Sequence, residues 1–489
     1  MNKLIRINPN DNVAVATENI EKGYCECGVT AIDDIPFGHK ILLQSVKKGE
    51  NIIKYGCPIG HATVDIKAGS FVHEHNIKTN LSDKLTYKFC GNNEYKPQKS
   101  NVTIKAYKRS NGKIGVRNEI WIIPTVGCVN KTAQALEKIG NSMNYDSCDG
   151  VVAFTHPFGC SQMGDDLVNT QKVLSALVKH PNAGGVLVLS LGCENNNLSV
   201  FKSFLGDVDE SRVKFLCVQD VEDELESGTE LLHEIYSVIK NDIREDAPID
   251  KLTIGWKCGG SDAFSGITAN ALCGRANDKL TSLGASTVLT EVPEMFGAEH
   301  LLMARAENEA VFNKTVSMIN SFKDYFSSHN QVCYENPSPG NHAGGITTLE
   351  EKSLGCIQKG GRSVITDVLQ YGAQAEKKGL NLLWGPGNDI VSTTALTAAG
   401  AHIILFTTGR GTSLGAPVPT IKISSNTRLF DKKRNWIDFN AGALIEGKQF
   451  DELTDDLLNL IIDTAGGQKT KNEINGYRDI SIFKDGVIM

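Results

Sequence analysis

The chain has 489 residues, of which 40% are hydrophobic, and its 50 basic and 57 acidic residues give a net charge of −7. This length is too great for one hydrophobic core, and about 150 residues per domain predicts roughly three domains. The acidic balance argues against nucleic acid or an anionic membrane as the main partner, and no apolar run approaches the ~20 residues of a membrane span.

The N-terminal residues lack the apolar stretch of a signal peptide, which favours the cytoplasm. The 13 cysteines are odd in number and scattered along the chain. In that reducing compartment we expect free thiols, buried small side chains or metal ligands instead of disulfides.

Residues 1–81 contain short β-rich runs separated by glycines, which predicts a small all-β domain. His73 and His75 stand two positions apart, so on a strand they would share one face and could chelate a metal ion or bind a substrate. The alternative is an exposed histidine pair on a solvated strand. His39 and Lys40 lie beside a glycine turn in the same domain.

The polar stretch 82–102 is low in branched apolar residues and is interpreted as a linker. From residue 103 onward, strand and helix patterns alternate, which predicts a doubly wound, mostly parallel α/β body in two lobes, 103–250 and 251–489. One long helix is expected over 299–326. The candidate strands are 120–124, 151–155, 186–190, 213–218, 252–256, 287–290, 382–384 and 403–407.

Four candidate strands run into cysteines, namely Cys128, Cys160, Cys193 and Cys258. Their spacing suits strand-plus-helix units, so we expect the four thiols at the carboxyl edge of one parallel sheet, where α/β proteins place ligands. Thiolates bind iron or iron–sulfur clusters, although buried free cysteines without a ligand are common. Glu194 and Asp262, close to two of the thiols, are candidate ligands or general bases.

A glycine-rich turn around Arg410 follows the last candidate strand. Exposed backbone N–H groups and a guanidinium favour a small carboxylate there, and the glycine spacing does not match a dinucleotide-binding fingerprint. A second polar turn, 336–341, contains Asn341 and is equally consistent with an ordinary loop. The patterns of serine hydrolases, P-loop proteins and zinc peptidases are missing from the sequence.

Several longer blocks resemble the altronate dehydratase family, nearly from end to end. They include Gly192-Cys193-Glu194-Asn195-Asn196 and Cys258-Gly259-Gly260-Ser261-Asp262, and the remaining blocks are 115–119, 124–130, 266–270, 291–299, 336–341 and 408–412. Residues 38–40 and 72–76 resemble the polar motifs of a SAF-like, β-clip domain. Galactarate dehydratases and lyases of sulfonated lactate are similar relatives.

The resemblance implies an iron(II)-dependent hydro-lyase that converts D-altronate to 2-dehydro-3-deoxy-D-gluconate and water, with galactarate as the alternative substrate. Mn²⁺ in place of Fe²⁺, or an iron–sulfur cluster, remains open as the cofactor, and we expect a homodimer. A non-catalytic sugar-acid binding protein and a nicotinamide dehydrogenase are the rival classes.

We assign candidate roles on this basis. The metal candidates are His73, His75, Cys128, Cys160, Cys193 and Cys258. The candidates for binding substrate are Lys40, Arg117, Ser261, Asn341 and Arg410. The candidate proton carriers are His39, Glu194 and Asp262, and the sequence does not select the base among them.

Overall fold

The computed structural model describes residues 2–81, 86–89 and 91–489 of the protein. Its N-terminal part is the small all-β domain that was predicted, and the body is the predicted two-lobed α/β structure. The expectation on fold class is therefore confirmed. No helix in the described part of the chain is both long enough and apolar enough to cross a bilayer.

The N-terminal domain consists of two small antiparallel sheets, ordered β1-β2-β5-β8 and β6-β7-β9, with a separate β3-β4 hairpin. Glycines with positive φ connect several of these short strands, as at Gly38, Gly49 and Gly69. The strands are β1 Leu4–Ile5, β2 Val13–Ala16, β3 Cys25–Glu26, β4 Val29–Thr30, β5 Lys40–Leu42, β6 Asn51–Lys54, β7 Cys57–Ala62, β8 Phe71–Val72 and β9 Ile77–Lys78.

The first lobe contains a four-stranded parallel sheet, ordered β13-β12-β14-β15, beside an antiparallel sheet ordered β11-β10-β16. Its strands are β10 Thr103–Lys108, β11 Ile114–Gly115, β12 Glu119–Pro124, β13 Val151–Ala153, β14 Ala183–Ser190, β15 Val213–Cys217 and β16 Arg244–Pro248. Its helices are α1 Asn130–Ser142, α2 Gly164–Val178, α3 Leu198–Leu205 and α4 Glu224–Ile239.

The second lobe is built on a seven-stranded parallel sheet, ordered β19-β20-β18-β17-β21-β22-β23. Its strands are β17 Thr253–Cys258, β18 Ser286–Leu289, β19 Ile365–Leu369, β20 Gly379–Leu383, β21 Ile403–Thr408, β22 Thr420–Ser424 and β23 Phe439–Asn440. Its helices are α5 Ala269–Ser282, α6 Glu299–Met303, α7 Glu309–Ser328, α8 Pro339–Ala343, α9 Leu349–Cys356, α10 Asp389–Ala398, α11 Thr427–Lys432, α12 Phe450–Ala465 and α13 Lys471–Ile474.

Two expectations about local structure are wrong. The helix expected over 299–326 is two helices, because the Asn308 side chain accepts a hydrogen bond from Val311 N (3.1 Å) and starts α7 there. The four strand-end cysteines do not share a sheet: Cys258 ends β17 of the seven-stranded sheet, whereas the other three follow strands of the four-stranded sheet.

The described residues of the predicted linker lie against the second lobe. The Tyr87 hydroxyl donates to Glu299 Oε1 (2.6 Å), and the Tyr95 hydroxyl donates to the Thr281 carbonyl (2.9 Å). The N-terminal domain also shares one hydrophobic core with the body, since Ile59 and Val72 belong to the same buried cluster as Phe296 and Leu349. These contacts fix the position of the N-terminal domain on the sheet edge of the second lobe.

Candidate active site

Two imidazoles and a carboxylate meet where the N-terminal domain contacts the second lobe. His73 and Glu74 lie in the turn between β8 and β9, and His342 lies on α8. Glu74 carboxylate oxygens are 3.4 Å from His73 Nε2 and 3.4 Å from His342 Nε2. Donor atoms of the three residues lie within 4.8 Å of one another, so the group, here called the histidine site, can hold a metal ion.

The imidazoles of the histidine site are oriented by their surroundings. His342 Nδ1 is 2.9 Å from the Ile346 carbonyl, and donating a proton there leaves Nε2 free to bind a metal. Burial lowers the pKa of His73 to about 3, and its Nδ1 is buried without a hydrogen-bond partner. Two imidazoles and one carboxylate suit Fe²⁺ or Mn²⁺, so these residues fit the expected metal.

His75 was expected to pair with His73 as a ligand, and the structure separates the two. Residues 73–76 form a turn instead of a strand, closed by a hydrogen bond from Asn76 N to the His73 carbonyl (2.9 Å). His75 is therefore exposed and lies on the Phe71 ring, with ring centroids 5.3 Å apart. Glu74 and His342 occupy the place that the sequence interpretation gave to His75.

His39 lies next to the histidine site. Its ring centroid is 5.0 Å from that of His73, and its Nδ1 is 3.1 Å from the Phe37 carbonyl. The His39 side chain is mostly buried, and burial lowers its pKa. A neutral imidazole with one free nitrogen can accept a proton, which is the role expected for it.

Helix α8 fixes His342 in position. It begins with Ser338 and Pro339, and Asn341 completes a capping box with Ser338. The Asn341 amide also donates to the Ser261 carbonyl (2.8 Å), which links α8 to the loop after β17. Asn341 and Ser261 were both candidates for binding substrate, and here they connect the histidine site to the edge of the seven-stranded sheet.

A buried thiol pair lies at the end of β17. Cys258 Sγ is 2.8 Å from the Ser261 hydroxyl, and Asn270 donates to the same sulfur (3.7 Å). The neighbouring Cys356 thiol lowers the pKa of the Cys258 thiol to about 6, and Cys356 Sγ also donates to Glu294 Oε2 (2.9 Å). Cys258 is thus a buried sulfur held by hydrogen bonds, with a lowered pKa that favours its thiolate, and it is separate from the other three predicted metal-binding cysteines.

A network of buried charges surrounds this thiol pair. Glu291 lies between two lysines: it pairs with Lys257, and Lys359 Nζ is 2.9 Å from its Oε2. Lys352 pairs with Glu294 (2.9 Å). The backbone of Glu291 is left-handed, with φ of 73°, a strained conformation typical of functional sites.

These charged residues had no role in the sequence interpretation, although Glu291 and Glu294 stand in one of the family blocks. Lys257 and the segment that contains Lys352 and Lys359 are far apart in the sequence, so no local pattern connected them. The one local sign of a charged group near the thiol was Lys257, directly before Cys258 in the sequence.

Lys40 was a candidate for binding substrate and instead lies in a buried ionic triad. Its Nζ donates to Glu351 Oε2 (2.9 Å) and to the Gly345 carbonyl (2.7 Å), and Lys54 binds the other oxygen of Glu351 (2.7 Å). Burial lowers the pKa of Lys40 to about 8. The triad joins both sheets of the N-terminal domain to α9 beside the histidine site.

Asp262 and Arg410 lie on adjoining loops of the second lobe. The Asp262 carboxylate accepts hydrogen bonds from Ser265, Ser425 (2.8 Å) and Asn426 (3.0 Å), and burial raises its pKa. These bonds join the loop after β17 to the segment after β22. Arg410 is exposed, and its backbone N–H donates to Gly260 O (3.0 Å), so its guanidinium is available to an anion.

Two further candidates lie outside this region. The Arg117 guanidinium is buried and bonded to both carboxylate oxygens of Glu473 (2.6 and 3.0 Å) and to the Thr464 carbonyl (2.8 Å), so it stabilises the contact of α13 with the first lobe. The buried Glu194 carboxylate accepts hydrogen bonds from Thr125 and Ser190. Both residues have structural positions there.

The other three predicted metal-binding cysteines, Cys128, Cys160 and Cys193, are exposed at the carboxyl edge of the four-stranded sheet. Their donor atoms do not come together within 4.8 Å as those of the histidine site do. The structure thus separates the predicted metal residues into the histidine site, the buried Cys258 and this group of exposed thiols.

Comparison with known proteins gives matches over almost the whole chain. Residues 2–80 match the altronate/galactarate dehydratase SAF domain, residues 106–240 the D-galactarate dehydratase/altronate hydrolase second domain, and residues 249–488 the D-galactarate/altronate dehydratase C-terminal domain.

Three curated relatives match over nearly the full length of this chain. The altronate dehydratase of Escherichia coli K12 is 51% identical over 99% of both chains, and that of Bacillus subtilis 168 is 52% identical over 100% of both. The galactarate dehydratase (L-threo-forming) of Escherichia coli K12 is 32% identical over 95% of this chain and 93% of its own. This chain belongs to the altronate/galactarate dehydratase family.

Proposed function

We propose that this protein is a hydro-lyase that converts D-altronate to 2-dehydro-3-deoxy-D-gluconate and water. The single observation that carries the proposal is the identity of about half of all residues, over the full length, with two altronate dehydratases. The convergence of His73, Glu74 and His342 at the domain interface supports a metal-assisted reaction.

Dehydration of an aldonate requires removal of the weakly acidic hydrogen at C2 and loss of the hydroxyl at C3. A divalent iron or manganese ion bound by His73, Glu74 and His342 would act as a Lewis acid towards the substrate carboxylate and 2-hydroxyl. The neutral His39 imidazole is our candidate for the base, because it adjoins this site and carries a nitrogen free of the Phe37 contact.

The substrate carboxylate needs a cation that is not already paired. Arg410 meets that need: it is exposed and stands on a glycine turn beside the Asp262 loop. Lys40 is less suited, since Glu351 already pairs with it. The enol that forms after loss of water relaxes to the 2-keto acid without a further catalytic group.

The test is an assay without oxygen on D-altronate, galactarate and other sugar acids, with added Fe²⁺ or Mn²⁺, that measures keto-acid formation. We expect D-altronate to be the preferred substrate. Preference for galactarate would assign the protein to the function of the 32% identical relative. Binding of sugar acids without product would favour a non-catalytic binding protein.

Two variants test the histidine site. We expect His73→Ala to lose activity and the Fe²⁺ held at the histidine site, and the matched variant His75→Ala to keep both, because His75 is exposed and is not among the three residues whose donor atoms converge there. Equal iron affinity in the two variants would contradict this assignment. Titration with Fe²⁺ followed by metal analysis is the measurement.

We further propose a cytoplasmic location and a homodimer. Free thiols at the exposed Cys25 and Cys27 suit a reducing compartment, which supports the first proposal. Cell fractionation tests the location, and light scattering after gel filtration tests the oligomeric state.

A further inference from the structure

Three exposed thiols follow three neighbouring strands of the four-stranded sheet. Cys160 comes after β13, Cys128 after β12 and Cys193 after β14, and these strands are adjacent in the order β13-β12-β14. We propose that Cys128, Cys160 and Cys193, here called the thiol edge, bind an iron–sulfur cluster. This site is separate from the histidine site and does not rest on the proposed reaction.

Hydrogen bonds tie the three cysteine loops to one another. The backbone N–H of Gly127 donates to the Phe158 carbonyl (2.9 Å), which joins the loops of Cys128 and Cys160. The N–H of Asn196 donates to Gly159 O (3.1 Å), and the Asn195 side chain accepts from Ser161 N (2.8 Å). The loops of Cys160 and Cys193 are thereby joined as well, so the thiol edge is one connected unit.

Glu194 connects the remaining pair of loops. Its carboxylate accepts from the Thr125 hydroxyl (2.7 Å), before Cys128, and from Ser190 Oγ (2.5 Å) and Gly192 N (2.6 Å), before Cys193. Glu194, in the family block around Cys193, therefore holds the loops of Cys128 and Cys193 together.

Glycines let these loops approach closely. Gly159 has φ of +100°, and a Cβ there would lie 2.0 Å from the Thr125 carbonyl oxygen. A Cβ at Gly127 would lie 2.9 Å from the His156 carbonyl oxygen. A side chain at either position would separate the strand ends, so the backbone is built to bring Cys128 and Cys160 together.

The chemistry of three spaced thiolates favours a cluster over one ion. A single tetrahedral ion needs its donor atoms close together, and among the described residues that closeness is reached at the histidine site, not at the thiol edge. In a cluster, each cysteine binds a different iron atom, so the cysteine sulfurs lie farther apart than they would around a single ion. Three protein thiolates leave one iron of a four-iron cluster open to water or another small ligand.

Cys217 provides a matched control. It ends β15, the next strand of the same sheet, but its thiol donates to the Leu191 carbonyl (3.4 Å) and burial raises its pKa. Cys193, in contrast, accepts a hydrogen bond from the Gln219 amide (3.7 Å), so its sulfur has no carbonyl partner of the kind that holds Cys217. We therefore expect Cys217 to stay outside the cluster.

The experiment is to purify the full chain without exposure to air and to measure iron, acid-labile sulfide and the visible sulfur-to-iron absorption. We expect sulfide and the absorption in the wild-type protein and in Cys217→Ser, and their loss in Cys160→Ser and Cys193→Ser. His73→Ala should lose one iron but keep the sulfide, which separates this proposal from the histidine site.

Iron without sulfide in the wild-type protein, when the strain co-expresses cluster-assembly proteins, would overturn the proposal. Sulfide that Cys160→Ser and Cys193→Ser both retain would also overturn it. The exposed position of both thiols favours correct folding of the variants, and circular dichroism of each variant checks this.

Discussion

At the scale of single residues, the buried charges near Cys258 make the sharpest stability prediction. Glu291 is the shared partner of Lys257 and Lys359, and all three side chains are almost fully buried. Glu291→Gln leaves the buried Lys359 ammonium without its carboxylate and leaves Lys257 with only the partly exposed Asp389 (3.1 Å), so we expect a loss of about 3–5 kcal/mol in the free energy of unfolding.

Urea denaturation measures this loss. The matched control is Asp455→Asn, which breaks the exposed ion pair with Lys279 and should change stability by less than about 1 kcal/mol. Similar effects of the two variants would show that the buried network does not stabilise the fold.

The Cys258 thiol gives a prediction about pH. Its pKa is lowered to about 6, below the value of about 8.5 for a free cysteine. The thiolate therefore contributes stability that is complete above about pH 8.5 and is lost as the pH falls through the native pKa. We expect Cys258→Ser to remove this dependence, so melting temperatures of the two proteins should converge at acid pH. A constant difference across the range would contradict the lowered pKa.

The sequence identified individual site residues only where a short local motif contains them. His73 and His39 were selected because short motifs carry them, whereas His342 completes the histidine site from a segment far along the chain. Lys257, Glu291 and Lys359 are likewise united by folding, since β17, the turn after β18 and the turn after α9 meet at one sheet edge. The turn at residues 73–76 also escaped prediction, because two histidines at alternate positions fit a strand equally well.

At the scale of elements, all eight candidate strands of the body are strands, because each is an apolar run long enough for a buried parallel strand. The two lobes were predicted, but which strands share a sheet could not be read from these runs, since a buried strand carries the same pattern in either sheet. Cys258 was therefore grouped with the three cysteines of the first lobe, although it ends a strand of the seven-stranded sheet.

The thiol edge yields the prediction at this scale. Gly159→Ala introduces a Cβ 2.0 Å from the Thr125 carbonyl oxygen at φ of +100°, so we expect a loss of more than about 1 kcal/mol. Gly164→Ala is the matched control, because Gly164 also has positive φ but no atom within 4 Å of the added Cβ. The difference between the two in urea denaturation isolates the contact between the loops after β12 and β13. Equal losses would mean that backbone conformation alone requires glycine there.

At the scale of the whole molecule, the N-terminal domain completes the histidine site, so activity depends on how firmly it is held. Two features hold it: a hydrophobic core continuous with the body, and the buried triad of Lys40, Lys54 and Glu351. The hydrophobic runs on both sides were evident in the sequence. The triad was not, since its lysines and its glutamate are about 300 positions apart.

Glu351→Gln tests this arrangement. The variant leaves Lys40 and Lys54 buried without a carboxylate at the interface, and the cost of two unpaired charges favours separation of the N-terminal domain from α9. We expect faster hydrogen exchange in residues 2–80 and weaker Fe²⁺ binding, because separation moves His73 and Glu74 away from His342. Glu350→Gln is the matched control: the neighbouring carboxylate accepts from the neutral Thr79 hydroxyl (2.8 Å) and Asn80 N–H (2.6 Å), so no lysine loses its partner there. If both variants exchange and bind iron like the wild-type protein, the triad does not hold the two halves of the histidine site together.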